Sequence, residues 1–183
     1  NVGSSQFPFL VLYFNLVWYD GPRTCNDLDL HYYDSSHNEL TNVSKPQSES
    51  PRGTQSELSR YDNLASPGTY YLKVKNNSTN SQLFHIYEWM GWRMPVTFPH
   101  PDPFYTISTP ADADNAISVG AYTTRKNWTD YQGNSHHDIN PEQTVGTVSS
   151  FSSRAPRVDG AQKPNILAPG SAIISCRDED IYL

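Results

Sequence analysis

Three aspartates near the start of the sequence are the first side chains whose type and spacing could do chemistry. Asp27 and Asp29 are two residues apart, so on a β-strand both carboxylates would project from one face. Asp20 precedes them at a turn and could bring a third carboxylate to the same place. Carboxylate oxygens are ligands that calcium takes, so this trio predicts a calcium site. The favoured alternative is that these carboxylates cap loop amides.

Serines and histidines further along raise the question of nucleophilic catalysis, but their setting argues against it. His136 and His137 lie in a polar stretch, 125–144, that is typical of an exposed loop. Four serines crowd a predicted strand-to-loop segment that has no nearby base, which indicates structural roles. These serines are Ser149, Ser150, Ser152 and Ser153.

Length and composition limit the classes of protein that remain. A chain of 183 residues suits one domain, or one small domain plus part of another. Its net charge is -6, and without a basic patch it does not fit a nucleic-acid-binding protein. No apolar run reaches the roughly 18 residues of a membrane helix. The two cysteines, Cys25 and Cys176, are most simply free buried thiols, with a disulfide between them as the alternative.

The first half of the chain has the alternation of apolar and polar residues that predicts strands. Residues at every second position of 10–18 are apolar, and 28–32, 69–75 and 83–89 also predict strands. The polar stretch 35–56 contains Pro46, Pro51 and Gly53 and predicts a loop. Short strands separated by turns are typical of an antiparallel sandwich or jelly roll.

The second half follows a segment punctuated by prolines, 93–105, which predicts a stiff, extended linker. Beyond it, 116–121, 145–151, 165–167 and 172–175 predict further strands. In the first of these strands, Gly120 allows close approach of a neighbouring part of the chain.

Two sets of motifs resemble known families. N-D-L-D-L-H-Y-Y-D at 26–34 and S-P-G-T-Y-Y-L-K-V at 66–74 resemble the pre-peptidase C-terminal β-sandwich and the related jelly rolls of secreted proteases. F-S-S-R-A-P at 151–156, D-G-A-Q-K-P at 159–164 and L-A-P-G at 167–170 resemble the subtilisin-like serine proteases, or subtilases. T-P-A-D-A-D-N-A-I-S-V-G-A-Y at 109–122 extends this second resemblance upstream.

The subtilase resemblance implies specific roles for a few residues. Ser108, Thr109 and Pro110 match the segment that lines the pocket for the residue before the scissile bond, where the family often has a cis peptide at the proline. Phe151 matches a position near the leaving-group side of the cleft. An ordinary turn proline and a core aromatic residue are the respective alternatives. The family's Asp, His and Ser triad motifs are absent, so we assign no catalytic residue and expect this chain alone to be inactive.

These resemblances together predict a mainly β chain: an antiparallel β-sandwich or jelly roll followed by the C-terminal part of an α/β subtilisin-like catalytic domain. We expect an inserted sandwich at 1–92, the linker at 93–105 and a partial catalytic domain at 106–183. The implied protein is a secreted serine endopeptidase that acts on polypeptides. Its remaining segments, including the family's G-T-S-M-A motif, would lie elsewhere in the same protease.

Two other classes of protein remain open. One is a non-catalytic binding or assembly protein on a degenerate subtilase scaffold. The surplus of Tyr and Trp would suit the binding surface of such a protein. The other is a carbohydrate-binding sandwich. A serine in a Gly-Thr-Ser-Met-Ala setting would favour the protease, and a substituted serine the binding protein.

Overall fold

The computed structural model of the protein describes residues 10–22, 25–49, 53–64, 67–88, 96–140 and 142–174. Within these ranges the chain consists of strands and loops and contains no helix, so no described helix could cross a membrane. The chain divides into two compact units, Asn1–Pro101 (unit 1) and Asp102–Leu183 (unit 2). The prediction of a mainly β chain is therefore confirmed.

The described part of unit 1 contains two antiparallel sheets of three strands each. In chain order its strands are β1 (Leu10–Tyr19), β2 (Leu28–Tyr33), β3 (Glu39–Val43), β4 (Thr54–Leu64), β5 (Tyr71–Asn76) and β6 (Phe84–Glu88). One sheet has the order β4-β1-β6 and the other has the order β3-β2-β5. The central strand of each sheet is therefore one whose apolar alternation is plain in the sequence.

One apolar core joins the two sheets of unit 1. Its buried side chains come from alternate positions of β1 and β2, which confirms the faces predicted from sequence. Full burial of one such side chain stabilises the fold by about 1.5–3 kcal/mol. Leu72 and Val74 of β5 are half-buried against this core. The buried residues are Leu12, Phe14, Leu16, Trp18, Leu28, Leu30 and Tyr32.

The loop predicted at 35–56 is wrong in two places, because it contains β3 and the start of β4. The inward face of β4 is polar: Gln55, Glu57 and Ser59 are buried, while the residues between them are exposed. The strand therefore lacks the apolar alternation by which the others were predicted. Pro51 lies outside the described residues.

Gly53 lets β4 begin close to the turn that ends β1. Its φ is +74°, and a Cβ at this position would lie 2.3 Å from the carbonyl carbon of Gly21. The backbone N–H of Asp20 donates to the Gly53 carbonyl at 3.0 Å. Any side chain here would meet backbone rather than a flexible side chain, so the position requires glycine.

The described part of the proline-rich segment 93–105 begins at Val96. Val96 and Phe98 pack against the core of unit 1, and the ring centroid of Phe98 lies 5.9 Å from that of Phe14. Positions 93–95 lie outside the described residues, as does Trp89, the last residue of the predicted strand 83–89.

The strands of the described part of unit 2 are β7 (Val119–Thr123), β8 (Asn127–Thr129), β9 (Ser135–His137) and β10 (Ile166–Ser171). β7 and β10 are parallel neighbours, which confirms strands at both places, although β7 begins later than predicted and β10 ends later. β8 and β9 form an antiparallel hairpin inside 125–144, so the prediction of a loop there is wrong.

Two other strand predictions in unit 2 are also wrong. The segment 145–151 has only an isolated bridge, between Val148 and Tyr122, and is otherwise turn. Residues 172–174 are not a strand, because Ala172 adopts a φ of 52° that turns the backbone out of the extended conformation. Ser175 lies outside the described residues.

Unit 2 buries polar side chains and exposes apolar ones. Thr123 and Ser149 are fully buried, and Gln143 and Lys163 are nearly so. Large apolar side chains remain exposed on both strands of the parallel pair and on the segments around it. They include Ile117, Val119, Val145, Ile166, Leu167, Ile173 and Ile174.

We predict that Glu57→Gln will change how stability depends on pH. Burial raises the pKa of the Glu57 carboxyl above its usual value, opposed by the N–H of Lys45 and assisted by the negative charge of Asp29. As pH falls, the folded state therefore takes up a proton at a higher pH than the unfolded state does. The free energy of unfolding of the wild type should rise relative to that of the variant as pH falls from about 7 to about 5. Urea unfolding at both pH values measures this difference.

Glu49→Gln is the matched control, because Glu49 is an exposed glutamate and its replacement should leave the wild-type pH profile unchanged. Parallel pH profiles for wild type and Glu57→Gln would contradict the prediction.

Candidate functional site

The residues implied to line a substrate pocket form an exposed turn in unit 2. Ser108, Thr109 and Pro110 are all exposed, and we refer to them as segment 108–110. The Ser108 carbonyl accepts the N–H of Asp112 at 3.3 Å, and the Pro110 carbonyl accepts the N–H of Ala113 at 3.2 Å. The Thr109–Pro110 peptide bond is cis, which confirms that expectation. Their role in binding substrate stays a prediction.

Phe151 lies on a turn beside β7 and is 55% exposed in this chain. Its role in the cleft stays a prediction, with a core aromatic residue as the alternative. The turn is held to the strand on both sides of Phe151. The N–H of Ser149 donates to the Ala121 carbonyl at 3.0 Å, and the N–H of Ala121 donates to the Ser152 Oγ at 3.0 Å. These bonds leave the Phe151 ring on the surface of unit 2.

Reciprocal hydrogen bonds join the chain segments that carry Phe151 and segment 108–110. The N–H of Thr106 donates to the Arg154 carbonyl at 3.2 Å, and the N–H of Arg154 donates to the Thr106 Oγ1 at 2.8 Å. Thr106 is two residues before Ser108, and Arg154 is three residues after Phe151. The structure thus places the two predicted cleft segments next to one another in the fold.

The parallel pair β7 and β10 is packed too tightly for a side chain at Gly120. A Cβ there would lie 2.7 Å from the Leu167 Cδ2 and 2.8 Å from the Pro164 Cγ, which confirms the close approach expected at this glycine. Just before β10, the Lys163 ammonium donates to the Ala116 carbonyl at 2.5 Å and to the Asn165 Oδ1 at 3.0 Å. A buried charge is thereby satisfied where the two strands begin.

The serines of the 149–153 segment are engaged in local structure. The Ser149 Oγ and the Thr123 Oγ1 share a buried hydrogen bond of 2.8 Å, and the Thr123 hydroxyl also contacts the Gln143 Oε1 at 3.1 Å. The Ser150 hydroxyl donates to the Glu142 Oε1 at 2.9 Å. Together with the bond from Ala121 to Ser152, these contacts favour structural roles over nucleophilic ones.

His136 and His137 are exposed, as predicted, but they lie on β9 rather than in a loop. The His136 Nε2 is 2.9 Å from the Asp130 Oδ2, and its ring stacks on Trp128 with centroids 5.8 Å apart. Hydrogen bonds from His136 and Asn134 hold the pKa of the Asp130 carboxyl below its usual range. These contacts stabilise the β8–β9 hairpin.

The predicted calcium residues are held by amide donors. The Asn77 Nδ2 donates to the Asp27 Oδ2 at 2.9 Å and to the Asp29 Oδ2 at 2.7 Å, so both carboxylates face one side chain. The Asp20 Oδ2 accepts the backbone N–H of Asn26 at 2.7 Å, which is the capping expected of the alternative. In the described part of the chain, no group of three His, Cys, Asp or Glu residues could hold a metal ion, and calcium stays a prediction.

Two charged residues near these sites were not predicted from the sequence. Burial raises the Glu57 pKa, and the negative charges of Asp29 and Asp27 add to this rise. The Glu57 Oε1 accepts the N–H of Lys45 at 2.9 Å. Arg157 bonds an aspartate two residues further along, Asp159, in an R-V-D-G turn. The Arg-x-Asp spacing was a signal that could have found Arg157, whereas nothing in the polar run around Glu57 marks it.

The free thiol of Cys25 is exposed, so the interpretation of a buried thiol is wrong for this residue. Cys176 lies outside the described residues.

With this geometry, the comparison with protein families identifies the class of protein. The subtilase family model matches residues 53–181, which is more than half of the sequence. The chain therefore belongs to the subtilase family, a family of serine proteases. The matched range begins with β4 and so includes part of unit 1 as well as the described part of unit 2.

Two curated relatives are similar to part of the chain. Serine protease AprX of Bacillus subtilis (strain 168) is 40% identical over 78 residues, which cover 43% of this chain and 15% of AprX. Pyrolysin of Pyrococcus furiosus is 37% identical over 79 residues, which cover 38% of this chain and 5% of pyrolysin. The chain thus spans a small part of the length of either relative. No solved structure matches it.

We expect Asn77→Ala to destabilise unit 1 by about 2–4 kcal/mol. The Asp29 carboxylate is buried, and the variant would remove the hydrogen bond that it accepts from the Asn77 amide. Urea unfolding measures the change. Asn80→Ala in the same exposed turn is the control and should cost less than about 0.5 kcal/mol. Equal effects from the two variants would show that the Asn77 side chain does not hold the aspartates.

The calcium prediction has its own measurement. If calcium binds Asp20, Asp27 and Asp29, a chelator should lower the melting temperature, because a ligand specific to the folded state stabilises by mass action. An unchanged melting temperature, with and without added calcium, would leave the aspartates as partners of amides alone.

Proposed function

We propose that this chain is a piece of a secreted subtilisin-like serine endopeptidase. Membership of the subtilase family carries the proposal. Enzymes of this class hydrolyse peptides through an acyl-enzyme, using a serine nucleophile, a histidine base and an aspartate that orients the histidine. We assign none of these roles to residues of this chain. Secretion belongs to the proposal and rests on the resemblance to secreted proteases.

Unit 2 supplies part of the substrate cleft in this proposal. Segment 108–110 and Phe151 are exposed, and the Thr106–Arg154 hydrogen bonds join the segments that carry them. An exposed turn and a neighbouring aromatic ring offer a polypeptide substrate both backbone groups and apolar surface. We assign segment 108–110 to the pocket for the residue before the scissile bond, and Phe151 to the leaving-group side.

The partners of unit 2 are then the remaining segments of the same protease. A parallel pair of strands is stable when both faces are covered. Val119, Ile166 and Leu167 on β7 and β10 are exposed, while the buried side chains in the described part of unit 2 are polar. Apolar side chains on the strands that should be innermost support a domain that other segments of polypeptide complete.

Unit 1 is the inserted β-sandwich of the proposal. Its two antiparallel sheets enclose an apolar core, and the described residues of that core belong to unit 1. A unit with its own core can interrupt a catalytic domain without drawing on that domain for stability. The jelly-roll relationship rests on the sequence motifs.

Labelling with a fluorophosphonate probe tests the proposed function. The full-length parent protein should be labelled stoichiometrically at one serine, and the isolated 183-residue chain should not be labelled. Replacement of the labelled serine by alanine in the parent is the control and should abolish labelling. A folded parent that resists the probe would favour the non-catalytic binding or assembly protein. Stoichiometric labelling of the isolated chain would show that its residues do form a triad.

A further inference from the structure

Arg157 connects two distant parts of unit 2 through all of its guanidinium nitrogens. Its Nε donates to the Asp159 Oδ1 at 2.7 Å and its Nη2 donates to the Asp159 Oδ2, which makes a bidentate pair. Its Nη1 donates to the Asp114 Oδ1 at 2.6 Å and to the backbone carbonyl of Asp112. The Arg157 side chain is only 14% exposed. Water therefore screens these contacts less than it would on an open surface.

Asp159 and the turn around it fix the orientation of the Arg157 guanidinium. The turn that holds the pair is closed by the Arg157 N–H on the Ala161 carbonyl at 2.9 Å and by the Gly160 N–H on the Arg157 carbonyl at 2.7 Å. The Ala161 N–H also donates to the Asp159 Oδ1 at 3.1 Å. A bidentate pair fixes the plane of the guanidinium, so its Nη1 has a defined direction.

Asp112, whose backbone carbonyl accepts a hydrogen bond from Arg157, also makes hydrogen bonds to segment 108–110. The N–H of Asp112 donates to the Ser108 carbonyl at 3.3 Å, and the Asp112 Oδ2 accepts the Thr109 hydroxyl at 3.3 Å. Arg157 thus holds the Asp112 carbonyl, while the Asp112 amide and carboxylate hold Ser108 and Thr109. The contacts run without a break from Asp159 to the exposed segment.

The geometry of the Arg157 contacts favours arginine over lysine. Asp159 and Asp114 both accept hydrogen bonds from the guanidinium, and these bonds raise the Arg157 pKa above its usual range. The same pairing lowers the pKa of the Asp159 carboxyl. A lysine at 157 would keep the charge but could not bond both oxygens of Asp159 and the Asp112 carbonyl together.

We propose that Arg157 is a positioning residue of the substrate cleft: oriented by Asp159, it holds Asp112 and thereby fixes segment 108–110 for recognition of the residue before the scissile bond. This inference rests on the proposed function. Arg157 itself does not contact substrate. Its effect is to keep the pocket wall in one position, and a misplacement of about 1 Å in such a wall can cost about 100-fold in rate.

Peptide cleavage by the full-length parent protease, with Arg157→Met, tests the inference. Two peptides that differ only in alanine or phenylalanine before the scissile bond should be used, with rates normalised to fluorophosphonate-labelled sites. The variant should raise KM, lower kcat/KM for the preferred peptide by about 10- to 100-fold, and reduce discrimination between the peptides by about 10-fold. Arg157→Lys should give intermediate values.

Arg125→Met is the matched control, because Arg125 is an exposed arginine of the same unit and should leave KM and discrimination unchanged. A merely structural role for Arg157 would reduce the number of labelled sites while each remaining site kept its KM and its discrimination. That result overturns the inference but leaves the proposed function intact.

Two further outcomes separate the inference from the proposed function. If Arg157→Met does not fold, unchanged KM and discrimination in Arg157→Lys overturn the inference. A folded wild-type parent that neither labels nor cleaves peptides overturns the proposed function, and the inference with it.

Discussion

Parallel strands whose side chains are apolar need cover on both faces, and unit 2 is built around a pair of this kind. β7 and β10 lie in parallel register from Val119 and Ile166 onward, and these two side chains are largely exposed. A closed domain of this size would bury them in its centre. The need for covering segments explains why these apolar side chains are exposed in this chain, and it underlies our proposal that unit 2 is part of a larger catalytic domain.

Among its described residues, unit 2 shows hydrogen-bonded networks rather than an apolar core. Thr123, Gln143 and Ser149 form one buried network, Lys163 anchors the beginning of the parallel pair, and Arg157 holds the turn before β7. Each such bond contributes about 0.5–1.5 kcal/mol, or somewhat more where one partner is charged. Such bonds have strict geometry, so they fix where turns lie. They do not supply the free energy that burial of apolar surface would add.

Sequence reasoning succeeded where one kind of side chain marked one face. The apolar alternation of β1, β2 and β5 predicted both the strands and their core faces. It missed β4 because the inward positions carry Gln55, Glu57 and Ser59, and it missed the β8–β9 hairpin because those strands are short and polar. Segment 108–110 was predicted as a pocket segment from the family motif. Arg157 was not, because its distant partners, Asp112 and Asp114, are more than 40 residues away and pair with it only after folding.

Hydrogen exchange compares the two units most directly, with the isolated chain measured beside the full-length parent protease. Backbone amides of β1 and β2 should be protected in both proteins, because the described core residues that cover them belong to unit 1. Amides of β7 and β10 should exchange rapidly in the isolated chain and become protected in the parent, where other segments cover the parallel pair. Equal and strong protection of β7 and β10 in both proteins would contradict the account.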